Sequence, residues 1–188
     1  AEYAAKHRGA NVTCLTISPS QREWALERMQ REGLNEKVEI RLEDYRDHRG
    51  SYDGVASIEM FEAVGEKYWP AYFSTVHDRL RPGAKATLQV ILVPDRNFNA
   101  YRKSVDFIQK YIFPGGMLIS PSAIRTQAEK AGILEHRSVE FGQSYSQTLR
   151  RWYETFNAEW DKIQAMGFDD RFRRMWNIYL TSCASAFH

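Results

Sequence analysis

With 26 Lys and Arg against 24 Asp and Glu in 188 residues, the chain carries a formal charge of only +2, too balanced to mark a nucleic-acid-binding protein. Its 43% hydrophobic and 13% aromatic content excludes a disordered chain and suffices for the core of one domain. Cys14 and Cys183 lack the spacing of a zinc site or a disulfide framework and fit a cytoplasmic redox environment, while the longest uncharged run, residues 111–124, is too short for a membrane span and is broken by Pro114, Gly115 and Gly116.

Residues 11–17, NVTCLTI, read as a β-branched alternating strand that runs straight into Ser18, Pro19, Ser20 and Gln21, a capping-box start for a helix reaching Gly33. A strand ending on a helix amino terminus suits the ribose or adenine of a nucleotide cofactor, and serves equally as a plain cap. Further strands are expected near 37–42, 53–58, 84–92 and 133–141. Glu59 and Glu62 follow the strand at 53–58, at the carboxyl end of a buried strand, where open α/β sheets put their chemistry. The plainer reading is that both acids favour the positive amino end of the next helix.

Phe98, Tyr101, Val105, Ile108 and Ile112 recur at spacings of three and four, which predicts one amphipathic helix over 98–112, with Arg102, Lys103 and Lys110 off the stripe. Residues 111–119 then form an apolar loop with two glycines, suited to cover an apolar tunnel or to touch a bilayer, while the helix before it reads equally as a lid packed on the core. From about 146 to 187 the chain reads as helical. Leu149, Trp152, Tyr153, Phe156, Trp160 and Ile163 make one apolar stripe, and Phe172, Met175, Trp176, Tyr179, Leu180 and Cys183 make another. The alternation of strand and helix predicts an α/β fold: a mostly parallel sheet with helices on both faces.

LTISPSQ at 15–21, LEDYRD at 42–47, SIEMFEAVG at 57–65, FPGG at 113–116 and YSQTLRRW at 145–152 occur in a family's order. Over essentially its whole length the chain resembles the cyclopropane-fatty-acyl-phospholipid synthases and mycolic acid cyclopropane synthases. These are S-adenosylmethionine-dependent methyltransferases acting on double bonds in lipid chains. The resemblance implies a class I, Rossmann-like methyltransferase fold in a single domain over 1–188, with a helical lid at about 96–120 after the fourth strand. It also implies truncation at both ends, because the family's glycine-rich cofactor loop has no counterpart in this sequence and the family continues past SCASAFH into a last strand.

By the same resemblance, Thr16, Ile17 and Gln21 meet the ribose and methionine side of S-adenosylmethionine, Leu42 and Glu43 flank its adenine, and Ile58 joins this cofactor set. Glu62, Tyr145 and Gln89 form the catalytic set, with no metal. Gln89 stands where well-known members have His, and Ala63 where many have His. Glu62 and Tyr145 match positions that hold a bicarbonate ion in the family, and Gln89 leaves bicarbonate open.

An alkene is a weak nucleophile, so an enzyme of this kind must hold it in near-attack geometry against the sulfonium methyl and keep water from the resulting cation, which aromatic faces suit. A base then removes a proton, either from the new methyl group to close a cyclopropane or from a neighbouring carbon to leave a branched alkene. Glu62 fits that role or that of orienting bicarbonate, whereas Gln89 takes up no proton near neutral pH. The expectation is transfer of a methyl or methylene group to an unsaturated phospholipid acyl chain by a cytoplasmic protein peripheral to the inner membrane face, without nucleic acid and with a homodimer allowed. A methyltransferase of a small soluble acceptor, suggested by Gln89, and a non-catalytic lipid-binding remnant are the alternatives.

Overall fold

A computed structural model describes residues 1–187. In chain order the elements are α1 (Glu2–Arg8), β1 (Val12–Thr16), α2 (Pro19–Arg31), β2 (Val38–Leu42) and β3 (Tyr52–Ile58). Two short 3-10 turns, Phe61–Ala63 and Glu66–Tyr68, lead to α3 (Trp69–Arg79) and β4 (Leu80–Gln89). The rest is helical: α4 (Asp95–Tyr101), α5 (Phe107–Tyr111), α6 (Pro121–Lys130), α7 (Gly142–Ala158), α8 (Trp160–Ala165) and α9 (Asp170–Ala186).

Every strand pairing is parallel, as the alternating pattern predicts, yet the described strands form two separate two-stranded sheets, β1 with β2 and β3 with β4. Each pair carries its own core. Ala5 of α1 and Met29 of α2 pack with Leu34, Val38 and Ile40 against the first, while Phe61, Trp69, Tyr72, Phe73, Val76 and Ile119 cover the second. A third cluster, Leu149, Leu180 and Ala184, joins α7 to α9, which the buried Ser146 hydroxyl reinforces by donating to the Ala184 carbonyl at 2.7 Å.

Four expectations are corrected. Residues 133–141 form no strand: no ladder partner lies beside them, and Leu134, Val139 and Phe141 stay exposed. The stripe over 98–112 is not one helix, because Asp106 caps a new helix with Gln109 in a reciprocal capping box, which breaks the run into α4 and α5 and leaves Val105 exposed. Trp152, assigned to the apolar stripe of α7, is exposed. The fourth strand also starts earlier and ends earlier than 84–92. Tyr52 pairs with Leu80 and Gly54 with Lys85, so residues 81–84 bulge out of register, with Gly83 at φ +80 in the left-handed region that glycine enters without a Cβ clash.

Candidate active site

The carboxyl ends of β3 and β4 are joined by one polar chain. Ile58 pairs with Gln89, and the Glu59 amide donates to the Gln89 carbonyl at 2.9 Å as the last rung of the ladder. The Gln89 side-chain amide then donates twice, to Glu59 Oε1 at 2.9 Å and to the Tyr145 phenolic oxygen at 3.0 Å. Glu59 sits at φ +50, uncommon for a residue with a Cβ, and this kink ends the strand and turns the chain into the segment that carries Glu62.

Glu62 is set by its neighbour. Phe61 is fully buried against Trp69, Tyr72 and Phe73, with ring centroids 5.6, 4.9 and 5.5 Å away, so the turn it belongs to is pinned from beneath. Burial of a side chain of that size contributes about 2 kcal/mol. Glu62 Oε1 accepts from the Ile91 amide at 2.6 Å, while Oε2 is buried without a hydrogen-bond partner. Burial pushes the Glu62 carboxyl above its ordinary range, against the opposing bond from Ile91, and the nearby Glu59 charge adds to the rise. A partly buried carboxyl with one unpartnered oxygen is equipped to take or hold a proton.

Aromatic side chains flank this cluster. Tyr145 packs between Phe141 and Phe187 at centroid distances of 5.8 and 4.9 Å. Tyr179 meets the Phe113 ring edge-on at 6.1 Å and Trp176 at 5.0 Å, so an aromatic row runs from the 112–119 loop down α9. The loop itself is tied to the site, because the Met117 amide donates to the Glu62 carbonyl at 2.8 Å and Leu118 donates to the Tyr101 hydroxyl at 3.1 Å.

The cofactor set lies at the carboxyl ends of β1, β2 and β3. Thr16 donates to Gln21 Oε1 at 2.8 Å and accepts from the Ser18 amide at 3.1 Å, while Ser18 Oγ caps α2 by accepting from the Gln21 amide at 3.3 Å. The capping box is therefore half-formed: the Gln21 side chain turns to Thr16, and its amide NH2 has no acceptor among the described residues. Glu43 joins Thr16 through its own amide, which donates to the Thr16 carbonyl at 3.0 Å. Ile17, Leu42 and Ile58 stand 77%, 52% and 56% exposed at three strand ends. Exposed aliphatic side chains beside a carboxylate, a hydroxyl and a free amide fit the flat base and the hydroxyls of an adenosine.

The structure thus bonds Gln89 to Tyr145 and keeps Glu62 two residues from Gln89 in chain terms through Ile91, with no direct bond between Glu62 and either of the other two. Glu59, Phe113 and Tyr179 lie outside the expected site set. Glu59 was visible as the first acid after the strand, whereas an aromatic stripe does not reveal which of its rings faces a site.

A family model, mycolic acid cyclopropane synthetase, matches residues 1–188. The chain is 40% identical over 181 residues to a tuberculostearic acid methyltransferase of Mycobacterium tuberculosis, covering 96% of this chain and 42% of that protein. It is 39% identical over 188 residues to the cyclopropane-fatty-acyl-phospholipid synthase of Escherichia coli, covering 100% of this chain and 46% of that one. The chain spans less than half the length of these curated relatives. Among solved structures, a mycolic acid cyclopropane synthase complexed with SAH and CTAB superposes with a TM-score of 0.86 at 24% identity, covering 98% of this chain and 68% of that one. The fold is that of the class I methyltransferases.

Proposed function

Because the chain belongs to the mycolic acid cyclopropane synthetase family, we propose that its protein transfers a methyl or methylene group from S-adenosylmethionine to the double bond of an unsaturated phospholipid acyl chain, giving a cyclopropane or methyl-branched product. The observation that carries this reading is the cluster of Glu59, Gln89, Tyr145 and the half-bonded Glu62 at one sheet edge, beside an aromatic row.

When bound, S-adenosylmethionine supplies an electrophilic methyl group on a sulfonium. Ile17, Leu42 and Ile58 would receive its adenosine, with Thr16, Gln21 and Glu43 as polar partners. Tyr145 and Tyr179, both partly buried, exclude water and offer π-faces to the cation that forms on the acyl chain. Glu62 Oε2, the unpartnered buried oxygen, is the acceptor for the proton that must leave, directly or by holding a bicarbonate. Gln89 serves as an anchor: its amide orients Tyr145 and neutralises no charge of its own.

Contact with the bilayer is supported by the segment spanning α4, α5 and the loop after them. Val105, Tyr111 and Phe113 are 73%, 50% and 57% exposed, with Lys103 and Lys110 beside them, the composition of a surface that dips into an interface. Among the described residues no helix is long and apolar enough to cross a membrane. Comparing labelled-methyl transfer into vesicles of dioleoyl and dipalmitoyl phospholipid tests the proposal. Label in the unsaturated lipid alone supports it, and equal or absent labelling rejects it.

A further inference from the structure

His48 lies in the loop between β2 and β3, is 4% exposed, and has no part in the chemistry above. Its Nδ1 stands 3.2 Å from Glu43 Oε2 and its Nε2 2.6 Å from the Tyr52 hydroxyl, so one imidazole bridges the carboxyl end of β2 to the start of β3. A carboxylate only accepts hydrogen bonds, so Nδ1 carries a ring proton that it donates to Glu43, while Nε2 pairs with the Tyr52 hydroxyl. Both ends of the ring are fixed, it stacks on Tyr52 at 5.6 Å, and the His48 carbonyl is held by the Arg49 and Arg79 guanidinium groups at 2.9 Å each.

The consequence falls on Glu43. Arg41 approaches the same oxygen, Oε2, at 3.8 Å, so everything that steadies this carboxylate acts from one side. Glu43 Oε1 takes no hydrogen bond among the described residues, and the Glu43 backbone is pinned to Thr16. We infer that His48 and Tyr52 are positioning residues that hold Glu43 Oε1 ready to accept a hydrogen bond from a hydroxyl or amino group of the bound adenosine. A carboxylate oriented in advance loses less freedom when the ligand arrives, so the gain appears in affinity and not in the chemical step. This inference rests on the cofactor site proposed above.

The test is calorimetric titration of S-adenosylhomocysteine into the full-length protein and its Glu43→Gln, His48→Asn, Tyr52→Phe and Glu43→Gln/Tyr52→Phe variants, with kcat at saturating S-adenosylmethionine measured alongside. Glu43→Gln and His48→Asn should each weaken binding about tenfold and Tyr52→Phe about threefold, while kcat at saturation in His48→Asn and Tyr52→Phe stays within about twofold of the parent. The double variant should bind no more weakly than Glu43→Gln alone, because Tyr52 acts only through Glu43. Tyr52→Phe keeps the ring stack, so it remains informative if His48→Asn fails to fold. Unchanged affinity in Tyr52→Phe, or additive losses in the double variant, overturns the positioning role while leaving the cofactor site standing. Unchanged affinity in Glu43→Gln overturns both.

Discussion

The Gln89 side-chain amide donates to the Tyr145 phenolic oxygen at 3.0 Å, joining the end of β4 to the first turn of α7 across 56 residues of sequence. The same nitrogen holds Glu59, so one side chain fixes the relation between the sheet edge and the helical wall of the site. Replacing Gln89 with Ala removes both bonds and leaves Tyr145 free to rotate. Turnover should fall about tenfold to thirtyfold, since each bond is worth about 1 kcal/mol, while S-adenosylhomocysteine binding stays within about twofold. Steady-state kinetics with titration of the product check this.

Glu62→Gln keeps the shape of the side chain and the acceptor for the Ile91 amide but removes the proton acceptor at the buried Oε2. General-base loss of this kind lowers kcat on the order of a hundredfold or more, with cofactor affinity nearly unchanged. Single-turnover methyl transfer measures it, and an unaltered rate would remove Glu62 from its assigned role.

The same residue predicts a pH effect on stability. Burial raises the folded-state Glu62 pKa above its ordinary value of 4.5, so the folded chain binds this proton more tightly than the unfolded chain does. Its contribution is fully present below the ordinary value and is lost as pH rises through the folded value. The stability of the parent relative to Glu62→Gln should therefore decline as pH increases from 4.5 toward neutrality. Urea denaturation of both proteins across that range reads the difference directly.

Gly115 lies at φ +83 in the loop that ties to Glu62, with open space where a Cβ would point. Gly115→Ala should therefore cost only the backbone penalty, about 1 kcal/mol, seen as a lowered thermal midpoint without loss of the buried contacts around Phe61. A neutral result would mean that the loop adopts another conformation at no cost.

Local signals carried well from sequence to structure where chemistry and geometry sit on adjacent residues. Ser18, Pro19 and Gln21 announce the start of α2, and the acids after an apolar run mark the carboxyl edge that holds Glu62. What failed depends on distant partners. A run such as residues 133–141 has strand-like composition, but a strand exists only where a neighbouring edge accepts its ladder. The stripe over 98–112 matched a helix by period, yet period does not register that Asp106 and Gln109 cap one another and restart the chain. The bond between Gln89 and Tyr145 is likewise invisible in either motif alone. His48 gave no signal, because nothing in the sequence says that an imidazole five residues past Glu43 folds back onto it.

The most direct measurement is proton NMR of dioleoyl phospholipid recovered after reaction of the full-length protein with methyl-labelled S-adenosylmethionine, run beside Glu62→Gln. The account predicts label on a former alkene carbon of the acyl chain, as upfield cyclopropane protons or a branch methyl or methylene signal, and its near-absence with the variant. Label confined to a head group or a soluble acceptor, or equal labelling by both proteins, would contradict it.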